Sequence, residues 1–247
     1  MHRFYLPPEQ CRAEKLILTE REAHHALHVL RLKRGDAVTV LNGAGTVCSC
    51  EMVGASKSEV ELQVLQRRVV AAPPWRVTLF QAIPKGKVFE EIVEKATELG
   101  VSRIVPIISH RVVSAPEHPE RKLERWQLAA VEAIKQCGLA WLPRVEAPAK
   151  LAEWVGKREE FDLSLLASLQ ANSRHPRHWL DSLGTKEPLT ISAWIGPEGD
   201  FTPEEISLLE KTGKHPVSLG ANTLRSATAA IYCLSILNYE MGWRYAR

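Results

Sequence analysis

The sequence of 247 residues contains only five cysteines, an odd number, and no two of them are spaced as Cys-x-x-Cys. This argues against both a disulfide framework and a structural zinc site. Cys48 and Cys50 lie two apart in a β-type segment, and without other ligands nearby they are interpreted as small apolar strand residues. Residues 1–5 lack the apolar core of a signal peptide, and no apolar run reaches membrane-spanning length. We therefore expect a cytoplasmic protein with no membrane partner and no metal.

Three motifs of common enzyme classes are also missing. The chain has no Gly-x-Ser-x-Gly, no Gly-x-x-x-x-Gly-Lys-Ser/Thr, and no Gly-x-Gly-x-x-Gly after a strand. An α/β hydrolase or a nucleotide-binding enzyme is therefore a less favoured alternative. The chain also lacks a large excess of either charge, because 32 Lys and Arg are nearly balanced by 29 Asp and Glu, which gives a net charge of +3. This balance permits a polyanionic partner without requiring one.

The pattern along the chain predicts two domains. Up to residue 72, short β-type runs (37–41, 46–52 and 60–65) alternate with turns such as Asn42-Gly43, which is typical of a small β-barrel. Only residues 20–30 there are predicted to be helical. The stiff linker Ala71-Ala72-Pro73-Pro74 cannot continue a strand interior. We therefore place the boundary there, giving domains at 1–72 and 73–247.

In the second domain, β-type and helix-type segments alternate. Strands are predicted at 77–83, 104–108, 162–169, 189–195 and 217–219, and helices at 88–99 and 121–136. This alternation predicts an α/β domain with a mostly parallel sheet and helices on both faces.

Two strand ends in this domain open into glycine-containing loops. The first loop leads into a helix with Thr202 at the N-cap, Pro203 at N1 and Glu205 at N3, and the second follows Leu219 and leads into a long apolar helix near Ser226. Adjacent loops at such strand ends leave backbone N–H and C=O groups free for a small ligand. The candidate binding residues are Ile195, Gly196, Pro197, Gly199, Leu219, Gly220 and Leu224.

Together with His24-His25-x-x-x-Val29-Leu30-Arg31 and the segment 95–101, Lys-Ala-Thr-Glu-Leu-Gly-Val, these loops resemble the ribosomal RNA small-subunit methyltransferase E family. The resemblance covers essentially the whole chain. It implies a SPOUT-type C-terminal domain tied in a deep trefoil knot, a PUA-like, RNA-binding N-terminal domain, and a homodimer. It also implies that S-adenosylmethionine is used to methylate N3 of a uridine in small-subunit ribosomal RNA, so the partner is this RNA or the small ribosomal subunit.

Two residues are candidates for catalysis. Loss of the uracil N3 proton puts negative charge on the adjacent carbonyl oxygens, and the Arg225 guanidinium is suited to stabilise that charge. The alternative is a structural arginine that ties the loop to a carboxylate. Glu198 is a candidate to orient the base or accept the proton. The favoured alternative is that Glu198 stabilises the following helix and satisfies loop N–H groups.

The chain departs from the family pattern at three positions. Asp200 replaces the last Gly of Gly-Pro-Glu-Gly-Gly, and Ala227 stands where Leu-Arg-x-Glu-Thr-Ala has Glu. Leu139 stands where Gln-Ser-x-Arg has Arg. The resemblance therefore leaves a non-catalytic RNA-binding relative as an alternative function.

Three further features bear on partners or on a metal. Arg31, Lys33 and Arg34, which we call the basic turn, suit contact with RNA phosphates, although a solvated turn explains them equally well. His24 and His28 lie one helical turn apart but lack a further metal ligand. Residues 227–237 are almost all apolar or small, so the last helix lies either inside one domain or against a second copy; we favour the second copy.

Overall fold

The computed structural model describes residues 2–86, 88–112, 118–184 and 187–245. It divides into two compact units. The first contains residues 1–72 together with 131–142, and the second contains residues 73–130 and 143–247. The segment 131–142 thus belongs to the first unit, although residues 73–130, which belong to the second unit, separate it from residue 72 in the sequence. Among the described helices, none has the length and apolar character needed to cross a membrane.

The first unit is built on a curled five-stranded sheet with strand order β1-β3-β4-β5-β2. β1 pairs with β3 in parallel, and the other neighbours are antiparallel. The prediction for β3 is confirmed at both ends, whereas β4 and β5 run several residues further than predicted and β1 and β2 were missed. The strands are β1 (His2–Tyr5), β2 (Lys15–Leu18), β3 (Ala37–Leu41), β4 (Thr46–Ala55) and β5 (Val60–Val69).

Helix α1 (Glu20–His24) packs on this sheet, and a short 3-10 helix, Pro8–Cys11, contributes Cys11 to the same core. Helix α1 continues as a π-helical turn, His25–Val29, because the N–H of Leu30 bonds to the carbonyl of His25, five residues back. Arg31, with φ of 55°, then ends the helical path. Alternating strand residues and the inner face of α1 form one core that includes Phe4, Leu16, Val38, Cys48 and Cys50. Both thiols are buried as the strand interpretation predicts.

The second unit contains a sheet of strand order β12-β10-β11-β6-β7-β8, with β9 also paired to β7. Every pairing between its described strands is parallel, which confirms the α/β prediction. The strands are β6 (Trp75–Ala82), β7 (Arg103–Ile108), β8 (Arg144–Val145), β9 (Ala149–Lys150), β10 (Leu163–Ala167), β11 (Leu189–Ile195) and β12 (His215–Val217).

The helices lie at the predicted positions where they are long enough for the apolar spacing to repeat. They are α2 (Val88–Glu98), α3 (Pro119–Cys137), α4 (Leu151–Gly156), α5 (Arg177–Leu180), α6 (Pro203–Lys211) and α7 (Ser226–Tyr245). The capping box of α6 is confirmed, because Thr202 Oγ1 accepts from the N–H of Glu205 and Glu205 Oε2 accepts from the N–H of Thr202. Helices α4 and α5 and strands β8 and β9 were missed, since each is too short to show a period.

The last helix, α7, buries one face within its own unit. Its buried residues include Ala230, Leu234, Leu237 and Met241, and it lies against α2 and β11. The opposite side exposes Tyr232, Tyr239 and Trp243. The last helix therefore has two different sides: its inner residues belong to the core of one chain, and aromatic side chains are exposed on its outer side.

Candidate functional site

A cavity of about 560 Å³ lies at the carboxyl ends of β10, β11 and β12. Three loops line it, one from each strand end, together with the start of α7. All seven residues predicted to bind a ligand line this cavity: Ile195, Gly196, Pro197, Gly199, Leu219, Gly220 and Leu224. The two loops predicted from the sequence thus meet at one site.

The third loop, residues 167–173, was missed by sequence reasoning. Its position follows from pairing with β12, because the N–H of Ser168 donates to Val217 O (3.0 Å) and the N–H of Ser218 donates to Arg174 O (2.9 Å). Ser168, Leu169, Gln170 and Ser173 contribute to the lining. This loop contains no glycine, so only the order of the strands reveals it.

The loop after β11 is a tight turn whose shape depends on two residues. Asp200 has φ of 61°, a left-handed conformation that Asp tolerates better than most residues, and its Oδ1 accepts from the N–H of Phe201 at 2.8 Å. A Cβ at Gly196 would lie 2.9 Å from that Oδ1. Asp200 therefore adopts a left-handed conformation that a glycine would take without strain, and a side chain at Gly196 would collide with it.

A buried hydrogen-bond chain holds this turn to the start of α7. Gln81 Nε2 donates to Ser226 Oγ at 2.9 Å, and Ser226 Oγ donates to the carbonyl of Gly196 at 2.6 Å. Gln81 is fully buried and also donates to Ala82 O, while its Oε1 has no partner in the described part of the chain. Because Gly196 and Ser226 both line the cavity, the hydrogen bonds that join Gln81, Ser226 and Gly196 determine the geometry of the cavity wall.

Two polar contacts hold the outer part of the same loop. Glu198 is exposed, and its Oε1 accepts from the N–H of Lys85 at 3.2 Å. Arg111 Nη1 donates to the carbonyl of Gly199. Lys85 follows β6 and Arg111 follows β7, so the loops of neighbouring strands support the cavity loop. The contact of Glu198 with a backbone N–H agrees with its favoured structural interpretation.

Arg225 lies between Leu224 and Ser226, which line the cavity, but is not itself part of the lining. Its side chain is exposed and forms no hydrogen bond or ion pair with any residue that the structure describes. Its carbonyl accepts the N–H of Ala229 in the first turn of α7. The carboxylate that the structural alternative requires is therefore not found in the described ranges. Ala227 lies in the same helical turn, whereas Leu139 belongs to the first unit.

The basic turn lies in the first unit, between the π-helical turn and β3. All three of its side chains are exposed, and none has a hydrogen-bond or ion-pair partner within residues 2–86, 88–112, 118–184 or 187–245. The N–H of Lys33 donates to Asp36 Oδ2 at 2.7 Å, which orders the backbone. The rings of His24 and His28 are 4.8 Å apart, and the described residues contain no cluster of three potential metal ligands.

Comparisons with known proteins identify similar RNA methyltransferases. Residues 71–238 match a family model described as an RNA methyltransferase domain, and residues 18–65 match one described as an RNA methyltransferase PUA domain. The ribosomal RNA small subunit methyltransferase E of Synechocystis is 35% identical over 96% of this chain and 77% of that protein. The protein of the same name from Aquifex aeolicus is 31% identical, over 96% of this chain and 99% of its own length.

Solved structures are similar over the same span. A Legionella pneumophila structure with bound SAM superposes with a TM-score of 0.87 at 31% identity, covering 96% of both chains. The ribosomal RNA small subunit methyltransferase E of Neisseria gonorrhoeae, bound to S-adenosylmethionine, superposes with a TM-score of 0.85 at 26% identity, covering 97% of both chains.

Proposed function

Because this chain belongs to the ribosomal RNA small subunit methyltransferase E family, we propose that it transfers a methyl group from S-adenosylmethionine to N3 of a uridine in small-subunit ribosomal RNA. The observation that carries the proposal is the cavity at the ends of β10, β11 and β12. It brings together all the loop residues for which the sequence indicates cofactor binding. The N3 position of the uridine is the part that depends on the resemblance alone.

The residues of the cavity fit S-adenosylmethionine. A volume of about 560 Å³ lies within the range of small-molecule sites. Gly220 has φ of 122°, and no other atom lies within 4 Å of a Cβ built there, so its loop presents bare backbone to the ligand. Gly196, Gly199 and Gly220 would approach the cofactor with their backbone, while Ile195, Leu219 and Leu224 supply apolar contacts.

When bound, the cofactor supplies an electrophilic methyl group, and this chain's own residues must prepare the nucleophile. Uracil N3 attacks only after its proton has passed to solvent water, and the resulting charge spreads to the adjacent carbonyl oxygens. Arg225 is exposed beside the cavity and lacks a carboxylate partner in the described residues, so its guanidinium is available to donate to such an oxygen. The N-terminus of α7 adds favourable potential at the same place.

Glu198 has a lesser role in this proposal. One carboxylate oxygen accepts from the N–H of Lys85, so Glu198 holds the loop after β11 against the loop after β6. Its exposed position on the cavity lining leaves the second oxygen available to orient the base. We therefore assign Glu198 to positioning and Arg225 to charge stabilisation.

The first unit is proposed to hold the RNA. Three exposed cationic side chains in the basic turn suit contacts to phosphates, which set affinity without reading sequence. In this proposal residues 1–72 form the PUA-like, RNA-binding domain, and residues 73–247 form the methyltransferase domain, with the trefoil knot that the family resemblance implies. The site of action would be cytoplasmic.

A homodimer is proposed through the exposed side of α7. Tyr232, Tyr239 and Trp243 are 48%, 76% and 50% exposed and lie on one side of the helix, where a second copy would cover them. Tyr239→Asp should give a folded monomer by light scattering, because Tyr239 takes no part in the core. Leu237, by contrast, is 1% exposed, so a charge there would unfold the chain and report nothing about the interface.

Mass spectrometry of ribosomal RNA from cells with and without this gene tests the proposed function. The expected result is loss of one methylated uridine from the small-subunit RNA, with restoration by the intact gene. The purified protein should also transfer a methyl group to small-subunit RNA or to the small subunit. RNA binding without any transfer would support the non-catalytic alternative, for which the departures at Ala227 and Leu139 are the sequence argument.

A further inference from the structure

A second cavity, of about 300 Å³, lies wholly within the first unit. Its floor is a row of polar residues that crosses four strands. Arg3 on β1 pairs with Thr39 on β3, Thr39 with Ser49 on β4, and Ser49 with Gln66 on β5. Directly paired residues present their side chains on the same face of a sheet, so the four line one surface. We call these four residues, with Arg68 and Gly138 at the rim, the polar trough.

Arg3 is held rigidly in the polar trough. Its Nη1 donates to the carbonyls of Lys135 and Gln136 at 3.1 and 2.8 Å, at the end of α3. These two bonds use both hydrogens of Nη1, whereas Nε and Nη2 carry three more that have no partner in the described part of the chain. The Nε–Nη2 edge is the one that binds two oxygens of a phosphate or carboxylate side by side.

Gly138 makes this placement possible. It has φ of 83°, and a Cβ built there would lie 3.1 Å from Cζ, Nε and Nη2 of Arg3. Any larger residue would displace the guanidinium and would also be strained. The guanidinium is therefore seated against bare backbone and fixed before any ligand arrives, so little side-chain entropy is lost on binding.

The chemistry of the lining selects an anion. Arg68 is exposed and has no hydrogen-bond or ion-pair partner among the described residues. Two guanidinium groups, the Ser49 hydroxyl and the Gln66 amide contribute donors beside the apolar Leu41 and Val47, and the described lining contains neither aspartate nor glutamate. It contains no aromatic ring either, so bases have nothing to stack on. The trough thus suits a phosphate group rather than a nucleobase.

We propose that the polar trough binds a phosphate of an RNA strand, as a second contact separate from the basic turn. The proposal rests on the function proposed above, because the RNA is the substrate assigned there. Arg3 supplies the preorganised bidentate contact, and Arg68 supplies a second charge from the opposite side of the row. The contact sets affinity and register on the RNA and carries no sequence information.

The test compares Arg68→Gln with the matched control Arg12→Gln in the full chain. Both side chains are exposed, neither has a partner among described residues, and only Arg68 lines the trough. Binding of a short single-stranded oligoribonucleotide is measured from low to high salt. Arg68→Gln should weaken binding roughly three- to tenfold and lower the salt slope by about 0.7, as expected for one lost phosphate contact to a single strand. Arg12→Gln should leave the slope unchanged, and equal slopes for the two variants would refute the site.

A second measurement locates the contact and identifies its source. Backbone amide resonances of Thr39, Ser49 and Gln66 are followed while the oligoribonucleotide, its uncharged methylphosphonate analogue, or inorganic phosphate is added. The site is supported if these resonances shift with the oligoribonucleotide but not with its uncharged analogue. If they shift with inorganic phosphate alone, the ligand of the trough is a free anion rather than RNA, and the assignment is overturned. If the trough responds to RNA but no methyl transfer occurs, the site stands and the proposed function fails. If methyl transfer occurs but the amide resonances of the trough do not shift with RNA, the proposed phosphate site is wrong.

Discussion

The hydrogen-bond chain from Gln81 through Ser226 to Gly196 offers a direct test of how the cavity wall is held. Ser226→Ala removes one oxygen and leaves the Nε2–H of Gln81 and the carbonyl of Gly196 each short of a partner. An unsatisfied buried polar group costs about 1–3 kcal/mol, and partial relaxation is expected, so the variant should lose about 3 kcal/mol of stability. For a chain of this size that corresponds to a decrease in Tm of roughly 6–12 °C.

The same substitution should loosen the loop after β11, since Gly196 no longer has its anchor. Part of the cofactor's binding energy must then be used to order the loop, and a loss of about 1.4 kcal/mol weakens the affinity roughly tenfold. The affinity for S-adenosylmethionine is measured by calorimetry at a temperature at which all variants remain folded. Ser226→Thr keeps the hydroxyl and should restore most of the affinity.

Ser192→Ala is the matched control. Ser192 is fully buried on β11, donates to Ser164 Oγ at 2.8 Å and accepts from Trp194 Nε1 at 3.0 Å, but does not line the cavity. It should lose similar stability and keep its cofactor affinity. If Ser226→Ala loses stability but binds S-adenosylmethionine as tightly as Ser192→Ala does, Ser226 supports the fold and does not shape the site.

Four further outcomes are expected. Arg225→Lys keeps the charge but loses the planar fork, so turnover should fall by about a hundredfold at unchanged cofactor affinity, and the opposite pattern would make Arg225 a binding residue. Gly220→Val forces a branched residue into φ of 122° and should abolish cofactor binding by calorimetry; unchanged affinity would place the cofactor elsewhere. Neutralising the basic turn should weaken RNA binding and flatten its salt dependence while sparing cofactor affinity, and an unchanged slope would mean a solvated turn. Burial lowers the pKa of His215 below 6.5, and its ring stacks on Trp179 at 3.9 Å, so the unfolded state binds more protons and stability should fall as pH drops through about 6.5. His215→Phe keeps a ring and should reduce that slope in denaturant titrations, whereas an undiminished slope would assign it to other groups.

The elements of the second unit that were predicted well are those whose local pattern is strong. The strand 189–195 has its predicted ends, and the capping box of Thr202 and Glu205 forms as predicted. Each depends on residues within a few positions of one another, where periodicity and side-chain capping act directly. Short elements such as α5, with four residues, contain little more than one helical period, so no repeat of the apolar spacing could be detected.

The candidate site was partly predictable for the same reason. Glycines after apolar strand ends indicated the two loops that meet at the cavity, because only such loops leave backbone free for a ligand. The loop 167–173 has no comparable signal, and it reaches the cavity only because β10 pairs with both β11 and β12. The sequence showed Asp200 as a departure from the family pattern, and only the structure shows its left-handed conformation, with φ of 61°.

The sequence by itself determined the α/β character of the second unit, the two glycine loops and the exposed charge of the basic turn, since local composition and spacing carry these features. Only the tertiary structure decided which residues meet across the chain. Gln81 and Ser226 are 145 positions apart, and Arg3 lies 133 positions from the carbonyl of Gln136 to which it donates. Such contacts depend on strand order and on the return of 131–142 to the first unit, and no local pattern encodes them. The same holds for α7, whose apolar residues look alike in sequence until packing against the sheet buries one side and leaves the other exposed.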